Sequence, residues 1–410
     1  MDLTIALEQR FAGTPDGRVW TATALARPYW SRYLGVFQRV RVLGRVQLVR
    51  DPDPRWQRVD GDGVEVMPVP HYIGPAEYLS HALAVERAVR AALDANPGDA
   101  AILRVPGTIG GIAARALARS GRRFAVEVVG DPYDTFAPGA SDHPLRPAIR
   151  WWATRRLRAL CAQADASLFV TNGALQRRYP PRSGTRAFAA SDVETGDDAF
   201  VAAPRTPDWP AGPPFRLVHV GTLAALYKAP DLLLEAVARC AASGLDVELE
   251  LIGDGRHRGE LEALAARRGI GGRVRFVGQL PSGQAVRDAL DRAHAFVLPS
   301  RQEGMPRAMI EAMARGLPCL GTAVGGIPEL LPASALVPLD AAALAERIRQ
   351  LAESPTWRAE LSASAVSRAR EFHERALQPV REAFFRHVAA LTEGAARHVR
   401  RGRAMDVAGV

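Results

Sequence analysis

Five prolines crowd one short segment, Pro204, Pro207, Pro210, Pro213 and Pro214. Each fixes φ and lacks a backbone N–H, so neither a helix nor a central strand can run through, and the segment is expected to be a stiff connector between two folding units. Short apolar runs alternate with helical patterns on both sides of it. Before the prolines these runs are LTIAL, RVRVLGRVQLV, VEVMPVP, AAILRVP, FAVEVV, ASLFVT and RAFAASDV; after them they are RLVHVGT, DVELELIGDG, RVRFVGQ and AFVLPS. Such alternation predicts an α/β fold in each half, a parallel sheet covered by helices, with ligands at the carboxyl edge of the strands.

The 410 residues suffice for two such domains, and a composition 48% hydrophobic and 24% charged is that of a globular chain. The expected division is a first domain over 1–203, a linker over 204–214 and a second domain over 215–375. A helix over 376–395 is expected to return to the first domain, followed by a basic, disordered tail over 396–410. The net charge of +9 would suit an anionic ligand or an anionic membrane surface. The basic tail lacks any zinc-finger, RRM or helix-turn-helix signature, so no nucleic-acid role is assigned. Cys161, Cys240 and Cys319 lie far apart without a CxxC pair, which argues against a disulfide framework and a zinc site. The start MDLTIALEQRF has no basic leader, and no apolar run is long enough to span a bilayer. The expectation is a cytoplasmic protein, compatible with the inner face of the membrane.

In the first half, the loop after LTIAL, with Gly13, Asp16, Gly17 and Arg18, should lie at the carboxyl edge, followed by a helix carrying Trp20, Leu25, Tyr29 and Trp30. Glu127 and Asp131, at the end of FAVEVV, are candidates to contact an acceptor; a capping carboxylate is the competing reading of Asp131. The segment PLRPAIRWWATRRLRALCAQ sets Arg146, Arg150, Arg155, Arg156 and Arg158 around Trp151 and Trp152. It suits a helix lying on an anionic bilayer or covering a lipid-linked substrate. The expectation adopted is the other reading, an amphipathic surface helix with its tryptophans packed inward.

The chemistry concentrates in RQEGMPRAMIEAMARGLPCLGTAVGGIPE, from Arg301 to Glu329. Glu303 falls in a loop and Glu311 on the following helix, with Gly304 allowing close backbone approach and Pro306 suited to the first helical turn. The unpartnered N–H groups that open that helix suit a sugar phosphate. Together with VGTLAALYKAPDLLLEA, LIGDGRHRGELEALA and RVRFVGQLP, in that order, this stretch resembles the nucleotide-sugar-binding domain of retaining glycosyltransferases of family 4. EGMPRAMIEAMARGLP matches that family's E-x7-E signature through Glu303 and Glu311. The two-domain layout resembles the GT-B fold, two Rossmann-like domains whose parallel sheets face a central cleft.

The resemblance implies a hexosyltransferase-type enzyme that moves a sugar from a nucleotide-diphosphate donor to a hydroxyl acceptor with retention. Lys228 would stabilise the leaving diphosphate, Glu311 would accept from the ribose hydroxyls, and Glu303 would lie by the donor sugar, with Asp131 a third candidate catalytic group. Gly221, Thr222, Gly253, Asp254, Gly255, Gln279, Leu280, Gly304, Met305, Pro306 and Arg307 complete the implied donor site. Thr222 stands where many relatives have an arginine, and Gly130 and Asp131 stand where many have a histidine. No metal or other cofactor is expected, since charge is to be stabilised by Lys228 and helix N-termini. The competing classes are a non-transferring nucleotide-sugar enzyme such as an epimerase, and a non-catalytic nucleotide-sugar-binding adaptor at the membrane.

Overall fold

The computed structural model describes residues 1–137, 143–193, 195–208 and 213–407, with side chains as far as residue 395. Nine strands make the first sheet: β1 (Leu3–Gly13), β2 (Val19–Thr21), β3 (Val40–Leu48), β4 (Gln57–Arg58), β5 (Val64–Pro70), β6 (Ala100–Val105), β7 (Ala125–Val128), β8 (Ala166–Phe169) and β9 (Arg186–Ala189). Its parallel part runs β5-β3-β1-β6-β7-β8-β9, reversing direction of growth between β1 and β6. Such a reversal opens the crevice where α/β sheets take ligands.

Six strands make the second sheet: β10 (Phe215–Val220), β11 (Val247–Ile252), β12 (Val274–Gly278), β13 (Ala295–Leu298), β14 (Cys319–Thr322) and β15 (Leu336–Val337). They are all parallel, in the order β12-β11-β10-β13-β14-β15, with the reversal between β10 and β13. The strands read as near-continuous apolar runs because helices cover both faces. In β6, Leu103 and Val105 face the cluster holding Val85, Val89 and Ile112, while Ala100 and Ile102 face the one holding Trp30 and Tyr33.

The chain passes between the halves twice, and residues Thr195 and His373 form a parallel bridge where the passages meet. The helix Glu374–Val407 then returns to the first sheet and buries Leu377, Phe384, Phe385 and Val388 among its residues. Phe384 stacks edge-on to Phe188 at 5.5 Å and Phe385 lies 4.4 Å from Tyr33. Truncating either phenylalanine would cost about 3–5 kcal/mol.

The passage lies earlier than the proline segment. Val193 and Ala199 already belong to the second half's core, Val201 N donates to Ala314 O at 3.0 Å, and Arg205 N donates to the Ser362 hydroxyl at 2.8 Å. Apolar side chains before the prolines find a home in the second domain, so the prolines follow the crossing; Pro210 lies outside the described residues. The backbone of the basic tail continues the last helix through Val407, and residues 408–410 lie outside the described residues. Near the start, β1 runs through Gly13, Trp20 sits in β2, and the expected helix shrinks to Arg27–Ser31.

The Arg146–Gln163 helix also departs from expectation. It buries Thr154, Leu157 and Cys161, whereas Trp151 and Trp152 are 65% and 54% exposed. Arg155 and Arg156 lie over their indole rings at 5.7 and 5.1 Å. The buried stripe is too narrow to take in the tryptophans, which flank it on either side. Among the described residues, no helix is long and apolar enough to cross a membrane.

Candidate active site

At the reversal between β10 and β13, the loops beyond the two strands bring Lys228 to Glu303. The lysine sits in the turn Leu226–Lys228, and its stem crosses Gly221 so closely that a Cβ there would lie 2.3 Å from Lys228 Cδ. Its Nζ reaches Glu303 Oε1 at 2.8 Å, and the Ser300 hydroxyl donates to the same oxygen at 2.8 Å. Both loops are held by Arg301. Its backbone N donates to Tyr227 O at 2.7 Å, its guanidinium to Leu226 O at 2.7 Å, and two further bonds, at 2.8 and 2.7 Å, fork onto the Asp231 carboxylate. Paired bonds of this kind fix orientation as well as distance.

The loop Val324–Gly326 closes the site from behind. Gly325 has φ +55°, and a Cβ on it would lie 1.9 Å from Glu303 O, so only glycine lets this loop seat on the Glu303 backbone. Gly326 N donates to Gly304 O at 2.7 Å. The helix Arg307–Ala314 starts after Pro306, whose carbonyl accepts from Met309 N and Ile310 N, and its buried face carries Met309, Ile310 and Met313. Glu311 is half-buried on this helix. Burial holds its carboxyl above the usual range, with Arg307 and Arg287 acting the other way.

The remaining donor-side candidates gather at the same edge, several of them as supports. Gly253 has φ +136°, and a Cβ there would lie 1.9 Å from Gly221 O, so it serves the close approach of two loops. Asp254 O accepts from Leu223 N at 2.9 Å, and its carboxylate accepts from Gly255 N at 2.7 Å. Thr222 turns its hydroxyl oxygen to Ala224 N at 3.1 Å, and Gln279 and Leu280 follow β12 with Gln279 exposed. Met305 is half-buried and Arg307 exposed.

The first half meets this loop directly. Gln302 Nε2 donates to the Thr135 hydroxyl at 3.1 Å. Glu329 reaches across to three backbone amides, Asn172 N at 2.6 Å, Gly173 N at 3.0 Å and Ala174 N at 2.6 Å. The wall of the cleft opposite Glu303 is therefore the loop after β7 and the loop after β8.

The acceptor-side candidates require correction. Glu127 is 2% exposed: it accepts from Arg104 at 2.7 Å and from the Tyr33 hydroxyl at 2.9 Å, and it faces the core under the C-terminal helix. Asp131 caps the turn Pro132–Thr135 by accepting from Tyr133 N at 2.9 Å, and its carboxylate is further engaged by Arg178 and the Tyr179 hydroxyl. Its capping reading therefore stands, and its catalytic reading lacks an open carboxylate. Gly13, Asp16, Gly17 and Arg18 lie at the β1–β2 hairpin, well past the end of β6, because β1 pairs with β6 only over Leu3–Ala6 while it stays paired with β3 as far as Gly13 and turns there into β2. Asp16 closes that hairpin by accepting from Thr14 and Arg18.

Sequence reasoning missed the carboxylate that stands at the first sheet's reversal. Glu8, in the break of register between Ala6 and Arg10 of β1, accepts from Ile109 N at 3.0 Å and lies 3.4 Å from Arg45. An acidic residue directly after LTIAL was the available signal. Glu329, which closes the stretch from Arg301, was given no role of its own, and for His219 the sequence offers no periodic or motif cue. Among the described residues, no cluster of His, Cys, Asp and Glu is arranged to hold a metal ion.

Two doubly wound sheets facing a cleft, with a lysine–glutamate pair at one reversal, define a GT-B glycosyltransferase. Residues 214–354 match the family described as glycosyl transferases group 1, and this match supports a group 1 GT-B enzyme of the hexosyltransferase type. It is 23% identical over 299 residues to protein CapJ of Staphylococcus aureus, covering 72% of this chain and 73% of that one. Among solved structures, it is similar to sucrose-phosphate synthase from Thermosynechococcus elongatus, with TM-score 0.69, 18% identity and coverage of 95% and 99%. It is also similar to HepE of Anabaena in complex with UDP-glucose, with TM-score 0.61, 15% identity and coverage of 98% and 100%.

Proposed function

We propose that the protein transfers a hexose from a nucleotide-diphosphate sugar to an acceptor hydroxyl, with retention at the anomeric carbon. The observation that carries this reading is the Lys228–Glu303 pair, held by Arg301 and Ser300 at the β10–β13 reversal and followed by the helix that bears Glu311. In this reading the acceptor oxygen attacks the anomeric carbon on the face that the diphosphate leaves. The carbon–oxygen bond to phosphate breaks, the new glycosidic bond forms, and the acceptor proton passes to the departing phosphate oxygen. Lys228 stabilises the charge that grows on that oxygen, Glu303 orients the sugar hydroxyls, and Glu311 holds the ribose. HepE, a fold neighbour, binds UDP-glucose, which supports a nucleotide-sugar donor of the uridine type; a guanosine donor is the next to test.

The test is release of nucleoside diphosphate from UDP- and GDP-sugars in the presence of candidate hydroxyl acceptors. Release that depends on acceptor, with the product's anomeric configuration unchanged from the donor's, is expected. Nucleotide binding without any turnover would replace the reading with that of a binding adaptor.

The acceptor surface belongs to the same proposal. A groove of about 770 Å³ is lined by Tyr133, Phe136, Arg150, Trp151, Arg155 and Arg158, and it starts one residue from Thr135, which meets Gln302. The helix beside it carries five arginines and no carboxylate, with two exposed indoles. That combination suits a cytoplasmic, peripheral protein that takes an acceptor at an anionic leaflet. Flotation with phosphatidylglycerol vesicles should carry the protein upward, and Trp151→Ala with Trp152→Ala should leave it at the bottom.

A further inference from the structure

One buried group at the donor site has no task in the scheme above. His219, on β10, is 0% exposed. Its Nδ1 lies 3.0 Å from Val297 O; a carbonyl only accepts, so Nδ1 carries the proton and Nε2 presents a lone pair. That Nε2 is buried and has no hydrogen-bond partner. Unpartnered buried polar atoms are uncommon enough to call for a ligand or a role. The place it faces is specific: a Cβ built on Gly221 would lie 3.3 Å from His219 Nε2 and 2.3 Å from Lys228 Cδ. The free nitrogen and the lysine stem whose ammonium meets Glu303 therefore share one side of Gly221.

Charge arithmetic gives this placement a consequence. In the donor-free site Lys228 is neutralised by Glu303, so the pair offers no net charge to an incoming diphosphate with about two negative charges. We propose that His219 is a positioning residue for the donor: when the diphosphate binds over Lys228, Nε2 takes up one proton from solvent and supplies a second positive charge beneath it. The proton returns to solvent when the nucleoside diphosphate leaves. This inference rests on the reading of Lys228 as the diphosphate's counter-charge.

Without a donor, burial first, and Lys228 after it, push His219 down to about 4, whereas the bond to Val297 O acts the other way. The ring is then neutral at pH 7. The charged group that acts on the ring is Lys228, itself bonded to Glu303. A bound diphosphate reverses the sign of the field at the ring, so the imidazole's pKa rises in the complex. Binding then strengthens as pH falls through that raised value, and uptake ceases near 4, where the free ring is already charged.

The experiment is calorimetric titration with UDP-glucose and with GDP-mannose at pH 6, 7 and 8, in buffers of differing ionisation enthalpy. Nucleotide sugars are the proper probes because their diphosphate has no group that titrates near neutrality. The wild type should take up a fraction of a proton that grows toward pH 6, with affinity rising about five- to tenfold from pH 8 to pH 6. His219→Gln, whose amide can still donate to Val297 O, should bind with no proton uptake and little pH dependence. Tight binding by the wild type without proton uptake at any pH overturns the inference, even if the variant fails to fold. Proton uptake equal in His219→Gln overturns it as well. If Lys228→Ala binds either sugar as tightly as the wild type, the donor reading falls; if neither sugar binds the wild type, both fall together.

Discussion

The two sheets end in carboxylates that look alike in sequence and serve opposite ends. Beyond β13, Glu303 is 8% exposed, and its partners are the part-exposed Lys228 from a neighbouring loop and the buried Ser300 hydroxyl. On β7, Glu127 is held by Arg104, which also reaches Asp192 at 2.6 Å on the segment that leaves for the second domain. Arg104 lies between two carboxylates, and burial, outweighed by Arg104 and Arg32, leaves Asp192 down at about 2. The two carboxylates thus differ in the source of their cation: a loop supplies it for Glu303, where the proposed reading needs a ligand group, and the neighbouring strand supplies it for Glu127. Register decides which: Arg104 sits directly opposite Glu127 in the β6–β7 pairing.

Removing each carboxylate's partner tests that contrast. Glu127→Ala leaves Arg104 to Asp192 alone and the buried Tyr33 hydroxyl without its acceptor, and losing buried hydrogen bonds in this way should cost about 1–3 kcal/mol of stability. Chemical denaturation should show the loss, while turnover per folded molecule stays within about twofold of the wild type. A turnover loss exceeding the stability loss would restore Glu127 to the acceptor site. Lys228→Ala should do the reverse, lowering turnover by about 10²–10³-fold, the usual scale for one preorganised charge at a transition state. Its denaturation midpoint should fall as well, since Glu303 keeps only the Ser300 hydroxyl, but turnover per folded molecule should fall far more than the lost stability accounts for.

The same contrast explains what was legible. The strand and helix pattern carried the fold class, because parallel strands covered on both faces must be apolar throughout. The donor edge could be read because its contributors lie in consecutive strand-loop segments, with Glu303, Gly304 and Gly325 in one local knot. The first domain was harder. Glu127 and Asp131 stand where ligand groups stand, and only the positions of Arg104, Arg178 and Tyr179, far away in sequence, reveal that they are already engaged. Long-range pairing also hid the true crossing point, set by Val193 and Ala199 packing forward into the second core. Gly13 to Arg18 was misplaced for a simpler reason. The strand runs on with β3 after β6 has ended, and nothing in LEQRFAG marks where the pairing with β6 stops.

The smallest expected effect separates Glu311 from the structural carboxylates most cleanly. Its carboxyl is held above the usual range by burial, so the charged form is less favourable in the folded, donor-free protein than in the unfolded chain. The sign follows: the cost is absent below the ordinary glutamate value and is paid in full above the raised one, so stability falls as pH rises between them. Glu311→Gln removes the charge and keeps the shape. At pH 7 it should therefore raise the melting temperature of the donor-free protein slightly, by about 1–2 °C for a gain below about 1 kcal/mol. The same variant should weaken UDP-glucose binding by about tenfold, since an amide oxygen accepts less strongly from paired ribose hydroxyls than a carboxylate does. Opposite signs in the two measurements are what a binding residue maintained against its own folding cost produces. If Glu311→Gln instead lowers the melting temperature and leaves UDP-glucose affinity unchanged, Glu311 belongs with Glu127 among the carboxylates that hold the fold.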